Sequence, residues 1–306
     1  DMFGPGEAFP NLLGTGVPQE NNATLETKGM ELTVGWKQTI NNLRYDLTLI
    51  YSDDKSTVLE YNNPTKILTT YYEGMTLGEI WGYETMGLFQ SEEEVSGAPD
   101  QSQLFGRWQE GDVRYKDLNN DGEITTGENT VDDPGDRKII GNLNPRHMWG
   151  LRAFASYKGF DFSFLLQGVA KMNDLLLSRI MFGFDPQGIQ FTSLRDYTMD
   201  YWTPDNPDAY YPRPYMTEEN SKNQVTQTRY LQNAAYARLK NIQIGYSLPL
   251  SISNTLKTQG IRLFLSGDNL ITFSSLPKGI DPDVTYGSEE VYPISKILSF
   301  GIEVTF

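Results

Sequence analysis

The chain has 306 residues, of which 38% are hydrophobic and 12% aromatic, and it carries a formal charge of −15. That charge argues against nucleic acid as a partner, the absence of cysteine excludes disulfides and thiolate metal sites, and a single histidine, His147, removes most histidine triads and zinc centres. No run of about 18 apolar residues exists for a membrane helix, yet a strand can cross with about 9–11 residues of which every second is apolar. No signal peptide opens the chain, and Asp1-Met2-Phe3-Gly4-Pro5-Gly6 reads as the interior of a longer protein.

Strict alternation predicts the elements. In a first strand Met30, Leu32, Val34 and Trp36 point one way, with Glu31, Thr33 and Gly35 between them. Beyond a turn at Thr39-Ile40-Asn41-Asn42, Leu43, Tyr45, Leu47, Leu49 and Tyr51 alternate with Arg44, Asp46, Thr48 and Ile50. A long connection over 53–146 follows. The strand over 149–157 sets Trp149, Leu151, Ala153, Ala155 and Tyr157 against Gly150, Arg152, Phe154 and Ser156. After the tight Lys158-Gly159 turn, Phe160, Phe162, Phe164 and Leu166 alternate with Asp161, Ser163, Leu165 and Gln167. A second long connection, 171–233, is expected to hold short helices over 174–182 and 191–200. Strands over 236–246 and 261–270 come next. After a third long connection, 274–294, the strand 297–306 places Leu298, Phe300, Ile302, Val304 and Phe306 on one face.

At least seven strands thus have one apolar and one mainly polar face. A soluble sandwich alternates in the same way. Two features favour a transmembrane barrel: Trp36, Tyr51, Trp149, Tyr157, Phe160, Tyr246 and Phe306 sit near strand ends, and short turns alternate with very long connections. The expected fold is therefore all-β, an antiparallel transmembrane β-barrel with long extracellular loops. No internal repeat or low-complexity segment interrupts it.

The sharpest motif is Asp117-Leu118-Asn119-Asn120-Asp121-Gly122-Glu123-Ile124-Thr125-Thr126-Gly127-Glu128, which fits D-x-[DN]-x-[DN]-G-x5-E at every defined position. Ca²⁺ takes six to eight oxygens, and here Asp117, Asn119, Asp121, the Glu123 carbonyl and Glu128 are placed to supply them, with Gly122 allowing the sharp turn. The same residues also fit an unmetallated Asx-turn in an acidic loop. A paired helical EF-hand is not expected, because Thr130 to Asn144 lacks a helical pattern. No carboxylate pair stands out for glycoside hydrolysis, and a serine triad would have to use His147, placed at the start of a strand, so no enzyme is expected. Trp81, Trp108 and Trp202 have the rings to stack on sugars, but packing within their own loops is the more common fate of such residues.

Several ordered phrases resemble the SusC-like TonB-dependent transporters of Bacteroidetes outer membranes. They include Lys28-Gly29-Met30-Glu31-Leu32 before Gly35-Trp36, Gly82-Tyr83-Glu84-Thr85-Met86-Gly87-Leu88-Phe89-Gln90, and Gly111-Asp112-Val113-Arg114-Tyr115. Asp136-Arg137-Lys138-Ile139-Ile140-Gly141-Asn142 with Asn144-Pro145, Trp202-Thr203-Pro204-Asp205-Asn206-Pro207, Ala237-Arg238-Leu239-Lys240-Asn241 and Gly279-Ile280-Asp281-Pro282 follow, up to a terminal Phe306. Gly127 to Pro134 is an extra stretch relative to the family pattern. The resemblance implies that residues 1–306 are the C-terminal part of a large plugged barrel in the Gram-negative outer membrane, without its plug. It also implies import of oligosaccharides or peptides, a SusD-like surface lipoprotein docked on 53–146 and 171–233, the TonB complex as energy source, and contact with outer-membrane lipid. Arg44, Asp46, Arg152, Asp161, Gln167 and Glu303 would face the lumen. The rival readings are a secreted calcium-dependent glycan-binding β-sandwich and a passive porin or adhesin barrel.

Overall fold

A computed structural model describes residues 2–6, 14, 16, 19–176, 181–182, 196–215, 218–284 and 294–306. In chain order the strands are β1 (Met2–Pro5), β2 (Gln19–Ile40), β3 (Leu43–Glu60), β4 (Glu79–Tyr83), β5 (Thr85–Leu88), β6 (Val113–Tyr115) and β7 (Arg137–Asn142). They continue as β8 (Arg146–Tyr157), β9 (Phe160–Lys171), β10 (Asn173–Asp174), β11 (Gln232–Asn233), β12 (Tyr236–Ser247), β13 (Gly260–Ser274) and β14 (Ile297–Thr305). Among the described residues one sheet of eight strands runs β1-β2-β3-β8-β9-β12-β13-β14 and stays open, with β1 and β14 at its edges. The chain forms two compact units, one of Asp1–Thr27, Ser56–Asn144 and Asn173–Gln232, the other of Lys28–Lys55, Pro145–Met172 and Asn233–Phe306.

In the second unit the antiparallel register aligns the alternating residues into cross-strand rows. One row is Leu43, Tyr157, Phe160, Tyr246, Leu263 and Ile302; the next is Tyr45, Ala155, Phe162, Ile244, Leu265 and Phe300. Below them lie Leu47, Ala153, Phe164, Ile242, Gly267 and Leu298, then Leu49, Leu151, Leu166, Leu239 and Ile271. The last row holds Tyr51, Trp149, Gly168, Ala237 and Phe273. Aromatic rows bound this face at both ends, and many of its large side chains are open to their surroundings, with Leu265 at 61% and Phe300 at 65% exposure. A soluble domain buries such a surface. From Trp149 to Tyr157 the strand covers about 26 Å at about 3.3 Å per residue, which when tilted matches an apolar band of roughly 20–25 Å. No helix among the described residues is long and apolar enough to cross a membrane.

The turns explain the register. Lys158 and Gly159 both take positive φ, 47° and 89°, as a two-residue hairpin of the twist-compatible type requires. A Cβ on Gly159 would also lie 2.9 Å from the Ser247 carbonyl. The first turn is tighter than the sequence predicts: β2 runs through Ile40, leaving only Asn41 (φ 54°) and Asn42 to reverse the chain. In β12 a bulge between Leu239 and Asn241 switches the parity, so that Ala237 and Leu239 share the apolar face with Ile242, Ile244 and Tyr246.

The first unit corrects the reading of 53–146 as one long connection. β3 extends to Glu60, and the remainder builds the ribbons β4–β7 and β5–β6 around a core that includes Tyr83, Trp108, Tyr115, Ile124, Trp202 and Tyr230. Helix α1 (Glu92–Ser96) starts with a reciprocal cap, in which Ser91 Oγ accepts from Glu94 N–H while the Glu94 carboxylate accepts from Gln90 N–H. Leu77 ties the two ends of the segment together: its N–H donates to the Ser56 carbonyl at 3.0 Å, and its carbonyl accepts from the Asn142 and Asn144 carboxamides, each at 3.0 Å. Of the helices expected over 174–182 and 191–200, the described parts are Asp174 at the end of β10, residues 175–176, a helical Met181 followed by Phe182, and a 3-10 turn at Asp196–Met199; the rest lies outside the described residues.

Candidate functional site

The polar face of the sheet carries most of the residues that the alternation assigns there. Asp161 on β9 accepts two hydrogen bonds from Arg262 on β13, at 2.9 and 2.6 Å, and Arg262 also lies 3.7 Å from Glu303 on β14. β12 runs between the partners, and the ion pair passes over Gly245, where a Cβ would stand 2.4 Å from the Asp161 carboxylate and 2.6 Å from the Arg262 guanidinium. Glycine is thus required by the side chains that cross it. Asp46 pairs with Lys37 at 3.0 Å. Arg44 sits opposite Ser156, Arg152 opposite Thr48 and Leu165, and Gln167 opposite Gly150 and Arg238. The structure therefore puts Asp161 and Glu303 in one cluster and distributes Arg44, Asp46, Arg152 and Gln167 along the wall.

Alternation could not single out Arg262 or Arg238. Arg238, fully buried, donates to Asp281 at 2.5 Å, to Asp283 at 2.7 Å and through Nε to Thr272 at 3.0 Å, pinning the segment after β13. At the start of β8, Arg146 clamps Asp53 with bonds of 2.6 and 2.7 Å, the His147 N–H adds a third at 3.1 Å, and His147 Nδ1 meets the Tyr51 hydroxyl at 2.7 Å. The only histidine is a strand-start residue held by its neighbours.

The acidic loop has a definite shape. Asp117 accepts from the N–H groups of Asn120 at 2.6 Å and Gly122 at 2.9 Å, while Asp121 accepts from Glu123 N–H at 2.8 Å and from the Asn119 carboxamide at 2.7 Å. Gly122, at φ 87°, makes the sharp turn. Glu128 lies at the far end, where its N–H donates to Asp133. Among the described residues no group of three acidic or histidine side chains is placed to hold an ion; Asp117, Asn119 and Asp121 form nested Asx-turns, and Glu123 and Glu128 take part through their backbone N–H groups. Asp136, fully buried, braces this loop by accepting from Leu118 N–H at 2.7 Å and Thr125 N–H at 2.8 Å. Arg137 secures the next turn through the Thr126 carbonyl and Asn129. No helix follows: Arg137–Asn142 is β7, as the missing helical pattern predicts.

The first unit encloses an ion pair that nothing in the sequence marks. Lys222 Nζ lies 2.9 Å from Asp112, both side chains with no exposure, and 4.3 Å from the Tyr215 ring centroid. Asp112 also accepts from Tyr215, Asn223 and the Gln109 N–H, so both charges are fully satisfied. Burial pushes the nearby Tyr115 hydroxyl well above its ordinary pKa, and it donates, neutral, to the Lys222 carbonyl at 2.8 Å. Trp108 and Trp202 pack as expected of loop aromatics, donating their indole N–H to the Gln101 carbonyl and to Gln90.

No protein-family model matches the chain. It is 28% identical over 298 residues to a protein named TonB-dependent receptor P3 of Formosa agariphila, covering 92% of this chain and 27% of that one. To TonB-dependent receptor P26 of the same organism it is 25% identical over 322 residues, covering 97% and 31%. Among solved structures it superposes on the RagAB peptide transporter with a TM-score of 0.69 at 19% identity, covering 98% of this chain and 31% of that one. On the RagAB peptide importer in its open-open state the TM-score is 0.70 at 20% identity, covering 100% and 31%. The chain spans less than a third of the length of these relatives.

Proposed function

We propose that the chain is part of the barrel of a SusC-like TonB-dependent receptor and supplies wall and outer loops to an outer-membrane importer of oligosaccharides or peptides, a reading supported by its likeness to TonB-dependent receptors and to the RagAB fold. The observation that carries this reading is the pair of opposite faces on one sheet, five apolar rows bounded by aromatics on one side and the Asp161–Arg262–Glu303 cluster on the other. The apolar face would meet lipid and the polar face the lumen. A SusD-like lipoprotein would dock on the first unit, whose surface exposes Met86 and Met199, at 57% and 56%, and Phe105. The TonB complex would drive transport through parts of the protein beyond these residues. In cells, deletion of the gene should abolish energy-dependent uptake of one oligosaccharide or peptide class and leave passive diffusion unchanged. Uptake that persists after the proton gradient is collapsed would instead indicate a porin. Pulling down the full-length protein from native membranes should bring a surface lipoprotein with it; Met86→Asp with Phe105→Asp should weaken that capture, and recovery of the protein alone would reject the lid.

Calcium in the loop 117–128 is a second proposal, supported by the motif and by the turn at Gly122. Binding would require Asp121 and Glu128 to swing toward Asp117. Millimolar calcium should then protect this loop from protease, and Asp121→Ala should remove the protection. If calcium changes nothing, the motif is only a turn.

A further inference from the structure

The buried pair of Asp112 and Lys222 belongs neither to the sheet nor to the acidic loop, and its surroundings hold more than a charge contact requires. Asp112 stands just before β6 and Lys222 in the 3-10 turn Glu218–Asn223, so the pair ties the first long connection to the second. Both side chains have no exposure, and Lys222 Nζ lies 2.9 Å from Oδ2 of Asp112. Three further contacts fix the nitrogen: the Arg107 carbonyl accepts from it, and the Tyr215 and Trp108 ring centroids lie at 4.3 and 5.4 Å. The two carboxylate oxygens differ. Oδ1 accepts from the Tyr215 hydroxyl and the Asn223 carboxamide, each at 2.8 Å, whereas Oδ2 faces Lys222 and the Gln109 N–H. A second acid, the part-exposed Glu219, has a carboxylate oxygen 3.9 Å from Nζ and connects the closed pair to solvent.

An amide condensation needs three things: a nitrogen beside a carboxyl carbon with water shut out, donors on the oxygen that becomes the carbonyl, and an acid to carry protons. Groups held in place react as if at concentrations on the order of 10⁵–10⁸ M, and a neutral link in place of a buried ion pair takes two charges out of the interior. We propose that Lys222 and Asp112 join in an intramolecular isopeptide bond. The Lys222 ammonium passes one proton to Glu219, and Nζ attacks Cγ of Asp112. The Nζ–Cγ bond forms and the Cγ–Oδ2 bond breaks. Oδ2 leaves as water with two protons from the ammonium, one of them returned by Glu219. The two charges cancel, and no oxidant or co-reactant is consumed. Oδ1 stays as the amide carbonyl, with Tyr215 and Asn223 donating to it. This inference stands on the first unit and is independent of the import reading.

The test is a tryptic digest of the full-length protein, purified from native membranes and denatured before digestion, read by mass spectrometry. Trypsin cuts an unlinked chain after Arg107, Arg114 and Lys222. With the bond in place, cleavage after Lys222 fails, and the peptide that crosses it carries Trp108–Arg114 as a branch. The joined pair is lighter than its two parts by one water, about 18 Da. Glu219→Gln keeps the size of the side chain but cannot cycle the proton, so it should return the linear peptides. Linear Trp108–Arg114 and a peptide ending at Lys222 from the unmodified protein overturn the bond and leave an ordinary ion pair, without recourse to any variant. A branch as abundant in Glu219→Gln as in the parent overturns the proton relay.

Discussion

At the scale of single residues, the first unit depends on polar groups that hold chain segments together from inside. Asp136 joins both ends of the acidic loop through two backbone N–H groups, which gives the loop a brace whether or not a cation binds. Removing the carboxylate leaves buried donors without a partner, a loss of about 1–3 kcal/mol for such a group. Asp136→Ala is therefore expected to open the segment between Leu118 and Thr125 to protease, with insertion into membranes unchanged; a loop as resistant as the parent's would show the brace to be dispensable. The phrase that resembles the transporter family thus acquires physical content, since Asp136, Arg137, Asn142 and Asn144 each secure a turn or a segment end.

At the scale of elements, the two faces of the sheet should respond differently to charge. Leu263 and Ile302 are register partners in the apolar rows, whereas Thr305 has the parity of Glu303 on the other face. Leu298→Arg, in the middle of the five rows, should impair assembly into outer-membrane vesicles at a cost of about 2–4 kcal/mol near the midplane, and Leu263→Arg or Ile302→Arg, in the aromatic row at the edge, should cost less. Thr305→Arg should be milder. Equal tolerance in a heat-modifiability gel would mean that the apolar rows do not face lipid. These strands were legible because a period of two survives in the sequence wherever one face is apolar. The bulge at Lys240 was not legible, since the pattern shows parity and not the partner strand. The first unit was less legible still. Its core gathers Tyr83, Tyr115, Trp202 and Tyr230 from short, widely separated segments without periodicity, and the buried Lys222 looks from sequence like any surface lysine.

For the molecule as a whole, sequence order and sheet order part company. β8–β9 is a local hairpin, but β3 lies beside β8 with residues 61–145 between them, and β9 lies beside β12 across a long gap too. Leu77 shortens the first of these gaps by bridging Ser56 to Asn142 and Asn144. The consequence is kinetic. A chain that must close a loop of that length unaided loses about 2 kcal/mol more entropy than one closing a loop of about ten residues, and non-local strand pairing is slow for the same reason. If the segment folds first, β8 reaches β3 already tethered, and the pairing step becomes nearly local. Asn142→Ala combined with Asn144→Ala should then slow refolding into micelles several-fold, followed by tryptophan fluorescence, while unfolding changes less. An unchanged refolding rate would mean that the strands find each other before the tether forms.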